Sequence, residues 1–109
     1  MNWIKLEQES QLDEIREKSF ERAQVIFKHS VRCSVSSLAK NRLDKAESPE
    51  NMDFYFLDLI RYRAISDKVA ELFKVDHESP QALAIRNGQC VYDESHLGIS
   101  FQEIENAVN

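Results

Sequence analysis

The chain has 109 residues, 42% hydrophobic and 30% charged, with a net charge of −5 and a pI near 5.2. That fits one globular domain, residues 1–109, with a core that needs no disulfide staples, and the acidic balance argues against nucleic acid or an anionic membrane as partner. No apolar run reaches a membrane span and the first residues, Met-Asn-Trp-Ile-Lys-Leu-Glu-Gln-Glu, lack a secretory pattern, so a cytoplasmic protein with two free thiols is expected.

Trp3 to Leu6 alternates apolar and polar residues and predicts a short first strand. Ser10 opens a helix with Gln11, Asp13 and Glu14 in its first turn, where acids suit the dipole. Leu12, Ile15 and Phe20 mark its buried face. Ala23 to Lys28 is rich in β-formers and reads as a buried strand. From Ser34 to about Asp44, Val35, Leu38, Ala39 and Leu43 fall at helical spacing. A polar loop around Pro49 leads into a strand from Asp53 to Leu59, whose Phe54-Tyr55-Phe56 run reads as core. Ile65, Val69, Leu72 and Phe73 define the next helix. Ala82 to Ile85 and Gln89 to Tyr92 form a hairpin about Asn87-Gly88. Ser100 and Glu103 form a capping box for a last helix with Phe101, Ile104 and Val108. The order is β-α-β-α-β-α-β-β-α, which predicts an α/β fold: a mixed central sheet flanked by helices.

Chemistry concentrates in Phe27-Lys28-His29-Ser30-Val31-Arg32-Cys33-Ser34-Val35-Ser36. Cys33 follows a buried strand and starts a helix, where free backbone N–H groups and the helix dipole favour a thiolate. Arg32 and Lys28, with His29 when protonated, add positive charge nearby. The thiolate is the nucleophile of disulfide exchange. Ser36 stands where a Cys-x-x-Cys motif would carry its resolving thiol. Its hydroxyl can hydrogen-bond the thiolate but cannot form a disulfide, so exchange stops at a mixed disulfide until an external thiol arrives. A lone Cys-x-x-Ser is a weak motif, and an ordinary buried cysteine is its competing reading. Farther on, Ser79-Pro80 precedes a strand. An edge strand tolerates that; in a thioredoxin-like fold a cis-proline at this point lies opposite the reactive cysteine and offers its backbone to the substrate.

Taken together, Phe-Lys-His-Ser-x-Arg-Cys-x-x-Ser (Phe27 to Ser36) and His-Glu-Ser-Pro-Gln (His77 to Gln81) resemble the YtxJ-type monothiol bacilliredoxins, a thioredoxin-like family. Asn87-Gly88 and Asp93-Glu94-Ser95-His96 support the resemblance, which runs from about Glu9 to Val108. Val31 stands where a threonine is common in that family, and Ser34 where some members carry proline. The resemblance implies a thioredoxin-like fold and a thiol–disulfide oxidoreductase that removes bacillithiol, a low-molecular-weight thiol, from S-bacillithiolated proteins. In that scheme Cys33 attacks, Arg32 supports its thiolate and Ser36 holds the resolving position. His29, His77, Ser79, Pro80 and His96 form the substrate side. No bound cofactor is implied: bacillithiol is a co-substrate, and a second bacillithiol or a reductase regenerates the thiol.

Cys90, beside the Asn-Gly turn, is expected as a structural thiol at the far end of the sheet. His29, His77 and His96 are expected near Cys33, but no short paired spacing supports a metal site, so none is assigned. Lys40 and Arg42 read as a solvated helix face. A non-catalytic thioredoxin-fold adaptor and a glutaredoxin-like iron–sulfur carrier remain as alternatives. The absence of a glycine pair after the Ser-Pro strand weighs against the carrier.

Overall fold

Seven consecutive buried residues, Ala23–His29, form β2, the middle strand of a five-stranded sheet. A strand covered on both faces is buried at every position rather than at alternate ones, and Val25-Ile26-Phe27 is the apolar centre that stands out in sequence. The computed structural model describes residues 1–109. The remaining elements in chain order are β1 (Trp3–Lys5), α1 (Ser10–Lys18), α2 (Ser34–Asp44), β3 (Met52–Asp58), α3 (Arg63–Phe73), β4 (Gln81–Arg86), β5 (Gln89–Ser95) and α4 (Phe101–Val108), with a short 3₁₀ turn at His96–Gly98 before α4. The sheet order is β1-β3-β2-β4-β5. β1 and β2 run parallel to β3; β4 runs antiparallel to both β2 and β5. No helix is long and apolar enough to cross a membrane.

Alternation along the strands divides the core into two layers. Ile26, Tyr55, Leu57, Leu83 and Ile85 pack against α1 and α3. Val25, Phe27, Phe54, Ala82 and Ala84 pack against α2 and α4. Asn87 and Gly88 both have positive φ, 55° and 77°, as the tight two-residue hairpin turn requires.

Most expected elements form close to their expected limits, with three differences. Phe20 is 55% exposed instead of buried on α1. The helix stops at Lys18, so Phe20 enters a turn and lies over Gly88, where an added Cβ would come within 3.0 Å of its ring. Leu38 is 53% exposed, because α2 buries Ser36, Ala39 and Leu43 and that stripe leaves Leu38 on the solvent side. β5 continues three residues past Tyr92, to Ser95.

Candidate thiol-exchange site

The site lies at the carboxyl end of β2. There β2 gives way to the Ser30–Arg32 loop and the chain turns into α2 with Cys33 at its N-cap. Cys33 N–H donates to the Ser30 carbonyl at 3.1 Å, and the Cys33 carbonyl accepts from Ser37 N–H at 3.2 Å. The thiol is free and half-buried. Arg32 and Val31 are exposed beside it.

Ser36, at the resolving position, is fully buried. Its hydroxyl accepts from Ser30 N–H at 3.0 Å and lies 2.7 Å from His29 Nδ1. With its acceptor side used by Ser30, the hydroxyl donates to the imidazole. This corrects the expectation that the hydroxyl serves the Cys33 thiolate: a buried backbone N–H must find an acceptor, and Ser36 supplies it. His29 is 6% exposed, set beneath the surface against the Phe27 and Phe56 rings. Burial, and then Lys40, lower its pKa, so the ring stays neutral. Its place is under the site, bracing the start of α2, rather than on the substrate side.

Lys28 corrects a second expectation. Strand alternation sends it to the face opposite His29. Its amine, buried, donates to the Ser66 carbonyl of α3 at 3.1 Å and lies 3.2 Å from His77 Nδ1. The charge expected beside Cys33 therefore comes from Arg32 and the helix start alone. Lys40 is engaged too, paired with Asp44 at 2.9 Å and lying over the rings of Trp3 and Phe56.

The segment from Asp76 to Pro80 borders the same end, because Gln81, the first residue of β4, pairs with Lys28 of β2 and Ser95 of β5. The Ser79–Pro80 bond is cis, as expected. Pro80 O accepts from His96 N–H at 3.0 Å, and Gln81 Nε2 donates to Asp76 O at 2.9 Å. His96 Nε2 lies 3.8 Å from a Glu78 carboxylate oxygen. His96 has φ 56° and opens the 3₁₀ turn, whose Leu97 carbonyl accepts from Arg42 of α2 at 2.9 Å. His77, Ser79, Pro80 and His96 are thus gathered on one edge, with Arg42 linking it to the helix that Cys33 starts. No three His, Cys, Asp or Glu side chains converge here or elsewhere.

Cys90 lies at the other end. It pairs with Ile85, which in turn pairs with Gln24, at the beginning of β2. Its thiol donates to Tyr92 O at 3.2 Å, and burial pushes its pKa up to about 11.

The sequence reading did not find the Ser36–His29 bond or the Lys28–His77 contact. The adjacent Lys28 and His29 carried the signal, since neighbours on a strand point to opposite faces.

Comparison with known proteins agrees with this geometry. The family model described as monothiol bacilliredoxin BrxC matches residues 4–104. A solved structure described as a candidate oxidoreductase with a thioredoxin fold is 31% identical, covering 97% of this chain and 93% of its own, with a TM-score of 0.84. Malassezia sympodialis thioredoxin superposes with a TM-score of 0.75 at 14% identity, over 98% of this chain and 88% of its own. Fasciola hepatica thioredoxin gives 0.73 at 14% identity, over 95% and 94%. These thioredoxins share the fold.

Proposed function

Because this chain belongs to the monothiol bacilliredoxin family, a group of thioredoxin-fold, oxidoreductase-like proteins, we propose that it removes bacillithiol from S-bacillithiolated proteins through a mixed disulfide on Cys33. The observation that carries this reading is a half-buried free thiol at the N-cap of α2 with no second thiol within its reach. Ser36 holds the resolving position, and Cys90 lies at the opposite end of the sheet.

Two exchanges make up the cycle. The Cys33 thiolate attacks the bacillithiol sulfur of the modified protein. That disulfide breaks, a Cys33–bacillithiol disulfide forms, and the protein leaves as a thiolate. A second bacillithiol thiolate then attacks the bacillithiol sulfur on Cys33. Bacillithiol disulfide leaves and the Cys33 thiolate returns, so no net redox change falls on the enzyme. A reductase thiolate could attack the same bacillithiol sulfur instead, returning the Cys33 thiolate and carrying the bacillithiol away as its own mixed disulfide.

The chain's own groups support each stage. Cys33 stands at the start of α2 beside the exposed Arg32, so an approaching disulfide meets the helix's free backbone N–H groups and a guanidinium. The Ser36–His29 bond fixes that helix start. The exposed apolar Val31 and Leu97 offer a protein substrate contact area around a small thiol target.

The test is a bacillithiolated model protein mixed with the reduced chain and followed by intact-mass spectrometry. Loss of bacillithiol from the substrate with its appearance on Cys33 is expected. Substrate that keeps its modification while Cys33 stays free would overturn the reading.

A further inference from the structure

The mechanism above leaves unused the one lysine buried in the sheet. Lys28 is fully buried on the face that packs α3, and its partners are the Ser66 carbonyl and His77 Nδ1. Arg63 and Asp67 of α3 and Glu78 of the Asp76–Pro80 segment are the charged side chains around it and His77. Burial lowers the amine's pKa to about 8, with Asp67 opposing and Arg63 adding. It is therefore still an ammonium at neutral pH.

An ammonium group has three donors and no lone pair. His77 Nδ1 must then be the acceptor, and the ring's proton sits on Nε2. The Ser66 hydroxyl lies 3.3 Å from the same Nδ1. His77 itself is exposed and its Nε2 has no partner within the chain. One buried cation thus fixes both the place and the tautomer of a histidine two residues before Ser79.

We propose that Lys28 is a positioning residue of the docking edge: it anchors the Asp76–Pro80 segment and keeps His77 Nε2–H as a donor for an acceptor oxygen of the bound disulfide substrate. This rests on the bacillithiol-transfer reading. The acceptor belongs either to the protein partner or to the bacillithiol moiety, and the two respond differently to the test.

Long-range ¹H–¹⁵N spectra of the labelled wild-type protein at pH 7 should show His77 with a bare Nδ1 and a protonated Nε2. Lys28→Met should mix the tautomers. It should also raise KM for the bacillithiolated protein by about tenfold, the scale of one charge-assisted hydrogen bond, with little change in kcat or in the alkylation rate of Cys33. If KM for bacillithiol disulfide rises as well, the acceptor is on the bacillithiol moiety; if only the protein's KM rises, it is on the protein. A wild-type His77 protonated at Nδ1 would overturn the proposal even if the variant does not fold. So would a Lys28→Met protein with both KM values unchanged. Wild-type protein that transfers no bacillithiol would instead defeat the functional reading on which the docking role rests, while the tautomer is read independently.

Discussion

The two cysteines, both half-buried, occupy opposite ends of one sheet, and their backbone settings and hydrogen bonding differ. Cys33 ends a loop and begins a helix, with unpaired backbone N–H groups and an exposed Arg32 beside it, and no hydrogen bond holds its sulfur. Cys90 sits within a strand, gives its S–H to the Tyr92 carbonyl, and is pushed up to about 11 by burial. The largest concavity, about 490 Å3, lies at the Cys90 end, lined by Arg16, Leu72, Phe73, Lys74, Gly88 and Gln89. A roomy pocket beside a protonated thiol has no nucleophile to offer. An open surface beside a helix-start thiol suits a substrate that is itself a protein. Position in the backbone, more than the shape of the nearby surface, separates the reactive from the structural cysteine.

The largest effect tests that division directly. Cys33→Ser should reduce transfer from a bacillithiolated protein to background, and Cys90→Ser should retain it. Oxidation with bacillithiol disulfide should leave one bacillithiol on Cys33 and no Cys33–Cys90 bond. The register explains why. Cys90 is across from Ile85 and so level with Gln24, four strand residues or about 13 Å short of Lys28. A disulfide needs Cα atoms within about 7 Å. An internal disulfide found by mass spectrometry, with turnover lost in Cys90→Ser, would erase the contrast.

Alkylation sharpens the same contrast. With its thiol near 11, only about a thousandth of Cys90 is thiolate at pH 8, and iodoacetamide reacts with the thiolate. Peptide mapping after a short pulse should therefore show Cys33 modified and Cys90 intact. Faster labelling of Cys90 would reverse the assignment.

The sequence revealed the reactive end better than it revealed what braces it. Residue type and order sufficed for the sheet, for Cys33 at a helix start and for Pro80 before a strand, because each depends on local pattern. Ser36 and Lys28 depended on direction. Both look like polar groups close to Cys33 along the chain, yet Ser36 turns inward to satisfy Ser30 N–H and Lys28 points through the other face of β2. Apolar character alone places Phe20 and Leu38 inside, but the end of α1 at Lys18 and the buried stripe of α2 leave both on the surface.

Ser36→Ala probes the brace beneath Cys33. It strips the Ser30 N–H of its acceptor and His29 Nδ1 of its donor in a buried place. The expected loss is about 2 kcal/mol of folding stability, the cost of leaving buried polar groups unpaired. Urea denaturation measures it. No change in midpoint would show that water replaces the hydroxyl and that the helix start needs no such brace. Cys90→Ser, which alters only the weak S–H bond to the Tyr92 carbonyl, should show a smaller change.

Lys28→Met should have the smallest effect on stability, and its sign is opposite. A buried ammonium is held at a cost that an apolar side chain of similar length avoids. The variant loses the contacts to Ser66 and His77, so a net gain of about 1 kcal/mol is expected near pH 7. The pH dependence identifies the cause. The Lys28 pKa is lowered from its ordinary value to about 8 in the folded protein. Below pH 8 folded and unfolded chains both hold the proton, and the full penalty applies. Between pH 8 and about 10.5 the unfolded chain keeps the proton that the folded chain has released, so wild-type stability rises with pH. The advantage of Lys28→Met should then shrink by up to about 1.4 kcal/mol per pH unit, reverse at about pH 9 and become a deficit toward the upper end of the window. Urea titrations of both proteins at pH 7, 8.5 and 10 follow the difference. A difference that stays constant across the three values would mean that folding leaves the amine's pKa unshifted, whereas a change of about 2 kcal/mol already between pH 7 and 8.5, the full slope, would mean that the buried amine carries no charge at neutral pH, and the basis for fixing the His77 tautomer would go with it.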